Sequence, residues 1–202
     1  ISDDEAYATL KSGLDGAPIS EPRFLRFKTG IRKKPWNKNV VSLGLASGFL
    51  EPLESTSIHL IQTAIARLMT NFPDKHFNEK DIAYYNDRTL AEFEQVRDFL
   101  ILHYCATQRT DSDFWNYVRT MELPETLRQR IEIYMENGRL YRHDNELFGE
   151  HSWFAVFEGQ NMRPKRYHPV INHLSDEMLD KRMSEIRRAT QKCLEQFEDH
   201  EQ

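Results

Sequence analysis

The sequence predicts a mainly α protein with a small β-containing N-terminal piece. Beyond Pro73, apolar residues recur at three- and four-residue spacing through nearly every segment. Runs of strand character occur only before that point. A chain of 202 residues, 39% hydrophobic and 29% charged, is long enough and apolar enough to build a real core.

In chain order, residues 3–13 read as a short helix closed by Gly13 and Gly16. Residues 24–27 and 39–43 read as strands, with Gly30 and Lys33-Lys34-Pro35 as punctuation between them. Ile58, Ile61, Ile65 and Leu68 define a helix over residues 55–71, ended by Pro73. Asn78 can cap a long helix that carries Ile82, Tyr85, Phe93, Val96, Leu100 and His103. A short helix covers residues 113–119. Pro124 in a first turn and Gly138 just past an end bracket another, with Leu127, Ile131 and Tyr134 inward. Ser152 is placed to cap residues 153–157. Ser175 opens the last helix, in which Leu179, Ile186, Cys193 and Phe197 repeat. The organisation expected is a piece at 1–72 joined to a helical piece at 73–202.

Composition narrows the function classes. A net charge of −5 gives no basic surface for nucleic acid. No apolar run approaches the roughly 18 residues of a membrane span. Cys105 and Cys193 have no ligand-like spacing, and the eight histidines form no spaced pair, so no metal site is expected. Both cysteines are expected to be buried reduced thiols in a cytoplasmic protein.

The stretch with most chemical content is residues 48–62, Gly-Phe-Leu-Glu-Pro-Leu-Glu-Ser-Thr-Ser-Ile-His-Leu-Ile-Gln. A strand-like run feeds a turn carrying Glu51, Pro52 and Glu54. Three hydroxyl residues and an amphipathic helix follow. A carboxylate and unpaired amides thus meet at one helix N-terminus, a place suited to an anion. On the residues alone, Glu54 is either a helix-stabilising acid or a catalytic carboxylate. Thr56 and Ser57 are either ordinary capping hydroxyls or an anion site.

This stretch closely resembles the Gly-Phe-x-Glu-Pro-Leu-Glu-Ser-Thr signature of flavin-dependent halogenases, the tryptophan halogenase family. The resemblance implies an α/β fold of FAD-dependent monooxygenase (Rossmann) type, of which this chain supplies the C-terminal part. It implies Glu54 as a catalytic carboxylate beside the substrate ring, stabilising positive charge. It implies a halide held by the backbone amides of Thr56 and Ser57, where the family usually has Thr-Gly. Leu45, Gly48, Pro52 and Ile58 would border the flavin. Residues 146–161, with Phe148, Trp153 and Phe154, also resemble the family and would wall an aromatic substrate.

Reduced FAD, oxygen and halide would be required, with a flavin reductase as diffusible partner. Tryptophan-specific members carry a Tyr-Tyr pair, a Phe-Trp pair and a Glu that grips the amino acid. Here the corresponding positions hold Glu136-Asn137 and Leu147-Phe148, with His143 near the Glu. An electron-rich, indole-like substrate is therefore expected rather than free tryptophan. The dinucleotide loop, the catalytic Lys and a Trp-x-Trp-x-Ile-Pro segment are absent from these 202 residues. The chain is expected to work with the missing N-terminal part of the same enzyme and to be inactive alone. Two other readings are a flavin-dependent hydroxylase of similar fold and a non-catalytic helical binding module.

Overall fold

The computed structural model describes residues 1–143 and 146–197. Its spine is α3 (Glu79–Cys105), a 27-residue helix whose first turn is capped by Asn78, Oδ1 accepting from the Lys80 amide at 2.9 Å. Four other helices gather on or near it: α2 (Ser57–Thr70), α4 (Asp113–Thr120), α5 (Glu125–Asn137) and α6 (Glu150–Gly159). The N-terminal α1 (Asp3–Ser12) and the C-terminal α7 (Asp176–Leu194) bury no residue.

Two apolar clusters line α3. Phe99 and Leu102 join Leu127, Tyr134, Trp153 and Phe157 from α5 and α6. Phe93, Val96 and Leu100 join Leu60 from α2, with Ile31, Leu50 and Leu53 packed on the edge. Phe148 touches both clusters and so links the two sides of the helix. The second cluster joins residues before and after Pro73 in one core. A polar seam runs beside it: Arg67 pairs with Glu92 at 2.9 Å and donates to Thr89, while Thr63 and His59 also reach Glu92.

The β content is two short antiparallel pairs. β1 (Gly30–Ile31) pairs with β4 (Gly48–Phe49), and β2 (Trp36–Asn37) pairs with β3 (Val40–Val41) in a hairpin. Trp36 is buried and exchanges two hydrogen bonds with the Asn86 side chain, which fixes the hairpin to α3. The strand expected at 39–43 shrinks to two residues. The one expected at 24–27 does not form, because no neighbouring segment offers it a ladder. Leu25 and Phe27 are exposed, and Phe27 only leans edge-on against Phe49.

Helix boundaries follow the caps. Gly138 adopts φ 63° and donates to the Tyr134 carbonyl at 2.7 Å, ending α5 as a left-handed cap. Pro124 sits one residue earlier than expected, at the N-cap rather than in the first turn. α6 is capped by Gly149, so Ser152 lies inside the helix and is not its cap.

Candidate active site at the turn before α2

From β4 the chain enters Glu51-Pro52 and a 3-10 turn, Leu53–Ser55. Glu54 (φ 65°) and Ser55 (φ 53°) both take left-handed backbone, and this delays the start of α2 to Ser57. Such backbone costs roughly 1–2 kcal/mol per non-glycine residue. It persists only where its surroundings fix it. Here Leu50 and Leu53 press into the cluster of Leu60, Phe93, Val96 and Leu100. The end of α3 grips both carboxylates: the Tyr104 hydroxyl donates to Glu51, and His103 Nε2 lies 3.2 Å from Glu54 Oε1. Burial, with the Glu51 carboxylate in support, pushes the Tyr104 phenol up to about 12. It therefore remains a protonated donor at neutral pH.

Thr56 opens the helix. It is 2% exposed, its hydroxyl makes no cap, and that oxygen has no hydrogen-bond partner. Junction hydrogen bonds run from the Ser55 amide to the Pro52 carbonyl and from Leu60 to Thr56. Helix geometry leaves the first-turn amides, including that of Ser57, without an intrahelical acceptor. Beside them lies a small cleft of about 60 Å³ lined by Leu45, Ser47, Gly48, Ser57, Ile61 and Phe93, among others. The Ser47 hydroxyl is likewise buried and unpartnered. Unpartnered buried hydroxyls and free amides next to an apolar cleft suit a small anion beside a flat apolar ring. Leu45, Pro52 and Ile58 are exposed, and of these Leu45 lines the cleft.

On the other side of the turn, Phe148 stacks on Phe99 with ring centres 3.9 Å apart. Phe99 in turn meets His103 and Trp153 edge-on at 4.8 and 4.9 Å. A continuous line of side chains thus runs from Glu54 through His103 and Phe99 to Phe148.

A family model described as tryptophan halogenase matches residues 1–176. The chain belongs to the tryptophan halogenase family. Among curated relatives, tryptophan 6-halogenase SttH of Streptomyces toxytricini is 32% identical over 92% of this chain and 36% of its own length. Among solved structures, Xcc4156, a flavin-dependent halogenase from Xanthomonas campestris, matches with a TM-score of 0.90 and 43% identity. That match covers 99% of this chain and 40% of the other. BrvH, a flavin-dependent halogenase from Brevundimonas sp. BAL3, matches with a TM-score of 0.89 and 42% identity, over 99% and 41%. The chain therefore spans about two fifths of these halogenases.

Within this halogenase family frame, the expected site residues fall into two groups. Leu45, Gly48 and Ser57 line one cleft, with Glu54 and Thr56 on the turn beside it. Gly48 has a structural reason of its own: a Cβ there would lie 2.7 Å from the Gly30 carbonyl and 3.0 Å from a Phe93 ring carbon. The three aromatic residues do not form one wall. Phe148 is half-buried, Trp153 is core at 2% exposure, and Phe154 is 51% exposed.

Two residues near the site were not legible as partners in the sequence. His103 had no spaced partner in sequence, because its carboxylate lies forty-nine positions upstream. Glu146 is buried and takes a two-point ion pair from Arg130, at 2.6 and 3.2 Å, and Arg130 also lies over the Trp153 ring. A lone Glu in a loop carries no signal for such a pair.

Proposed function

We propose that the chain is the C-terminal part of a flavin-dependent halogenase acting on an electron-rich, indole-like arene. Residues 1–72 are the tail of the flavin side and 73–202 the substrate side. FAD in reduced form, with oxygen, supplies the oxidising equivalents that convert halide to electrophilic halogen. The chain's own residues do the rest. The Thr56 and Ser57 amides hold the halide. Leu45, Gly48, Pro52 and Ile58 border the flavin ring. Phe148 faces the arene, Trp153 supports it from behind through Phe99, and Phe154 continues the surface. Glu54 stabilises the positive charge that develops on the ring during substitution. We propose a cytoplasmic, metal-independent enzyme supplied with reduced FAD by a separate reductase. Among the described residues no helix is long and apolar enough to cross a membrane.

The observation that carries this reading is the unpartnered Thr56 hydroxyl beside open first-turn amides and the Leu45–Gly48 cleft. Crystals of the full enzyme grown with bromide should show an anomalous peak within hydrogen-bond reach of the Thr56 and Ser57 amides. A side chain filling that position, with no peak at high bromide, would remove the halide assignment.

Glu146 supports the choice of substrate class. Its carboxylate is already satisfied by Arg130 and by the His143 amide at 3.3 Å, so it is not free for an ammonium group. Burying a zwitterion without dedicated partners is costly. In a competition assay at equal concentration, indole should be halogenated in preference to free tryptophan. Preference for tryptophan would mean that a segment outside this chain supplies the clamp.

A further inference from the structure

We propose that His103 is the positioning residue for Glu54, fixing the carboxylate against the substrate-side aromatics. This inference rests on the reading of Glu54 given above. His103 Nδ1 lies 2.8 Å from the Phe99 carbonyl oxygen, and Nε2 lies 3.2 Å from Glu54 Oε1. A carbonyl oxygen only accepts, so Nδ1 must carry a proton. Nε2, the other ring nitrogen, is thereby turned toward the Glu54 carboxylate. The neighbouring carboxylate, Glu51, is occupied by Tyr104, which leaves Glu54 as the partner His103 faces on that turn.

The ring is also held on its face. Phe99, one helical turn earlier on α3, meets it edge-on at an interplanar angle of 88°. Phe99 carries Phe148 stacked at 3.9 Å on another side. One rigid helical turn therefore sets the carboxylate and the proposed arene-facing ring relative to each other. Glu54 needs such a restraint. Its side chain is 41% exposed, and its backbone sits in a left-handed conformation that does not by itself fix the carboxylate.

Two substitutions separate positioning from ring packing. His103→Gln keeps a donor toward Glu54 and loses the ring. His103→Phe keeps a ring against Phe99 and loses both ring nitrogens. In the full enzyme with indole and bromide, His103→Phe should lower kcat about 10- to 100-fold, the size of effect that misplacing a reacting group produces. KM for indole should change little. His103→Gln should recover most of the loss. The reverse order, with Phe active and Gln impaired, would reduce His103 to packing and overturn the proposal.

Bromide oxidation is followed in parallel with monochlorodimedone, a probe that reacts with hypobromous acid free in solution. Wild-type enzyme that brominates neither probe nor indole would count against the halogenase reading instead. A readout independent of turnover covers a His103→Phe variant that fails to fold. In flavin-free, full-length protein with 15N-labelled histidine, the signals assigned to His103 by their loss in His103→Gln should show a proton on Nδ1 and an Nε2 shift that moves in Glu54→Gln. An Nε2 shift unchanged by Glu54→Gln overturns the proposal.

Discussion

Glu54→Gln in the full enzyme is expected to lower halogenation roughly 10²- to 10³-fold, the loss that follows removal of one preorganised electrostatic group aimed at developing charge. The substitution is isosteric and removes only the charge. Its amide, able to donate or accept, can still pair with His103 Nε2, so the turn should keep its shape. Leu50 and Leu53 continue to anchor the turn in the core. Flavin affinity should therefore stay close to wild type, and the loss should appear in kcat rather than in KM for the arene. Steady-state kinetics beside a flavin titration measure both. Turnover equal to wild type would return Glu54 to the role of an acid that steadies a helix start.

Glu146→Gln should be the most damaging single change to stability near the site. Glu146 is 3% exposed and accepts both terminal nitrogens of Arg130, itself 9% exposed. Removing the carboxylate's charge leaves a buried guanidinium over the Trp153 ring without its charge partner. Breaking one side of a buried pair costs about 3–5 kcal/mol. A double change, Arg130→Met with Glu146→Gln, should recover much of this, because the stranded charge is gone. Urea unfolding of the three proteins reads the cycle directly. A stable Glu146→Gln protein with a raised KM for substrate would instead place Glu146 in substrate recognition.

The helical half was legible because its signals are local. Asn78 before α3, Pro124 and Gly138 around α5, and Ser175 before α7 are each read within one turn of their own helix. The motif at residues 48–57 was legible for the same reason, being contiguous. What escaped depends on partners distant in sequence. Residues 24–27 have strand-forming side chains, but pairing is decided elsewhere in the chain. Trp153 and Phe154 are adjacent and chemically alike, yet one is core and the other surface, because α6 turns about 100° between them. The left-handed backbone at Glu54 and Ser55 replaced an expected helical turn, since neither residue type announces such a conformation.

That pair of left-handed residues bears on how this protein could be engineered. Glycine would occupy position 55 without steric penalty, so a search guided by thermal stability alone would be drawn to it. The same substitution would loosen the backbone directly beside Glu54, whose carboxylate meets His103. Tolerance to heat and a fixed Glu54 carboxylate therefore pull in opposite directions at this turn. A thermostable variant is better sought in distant loops or on the exposed faces of α1 and α7, where ordering the chain leaves the carboxylate untouched.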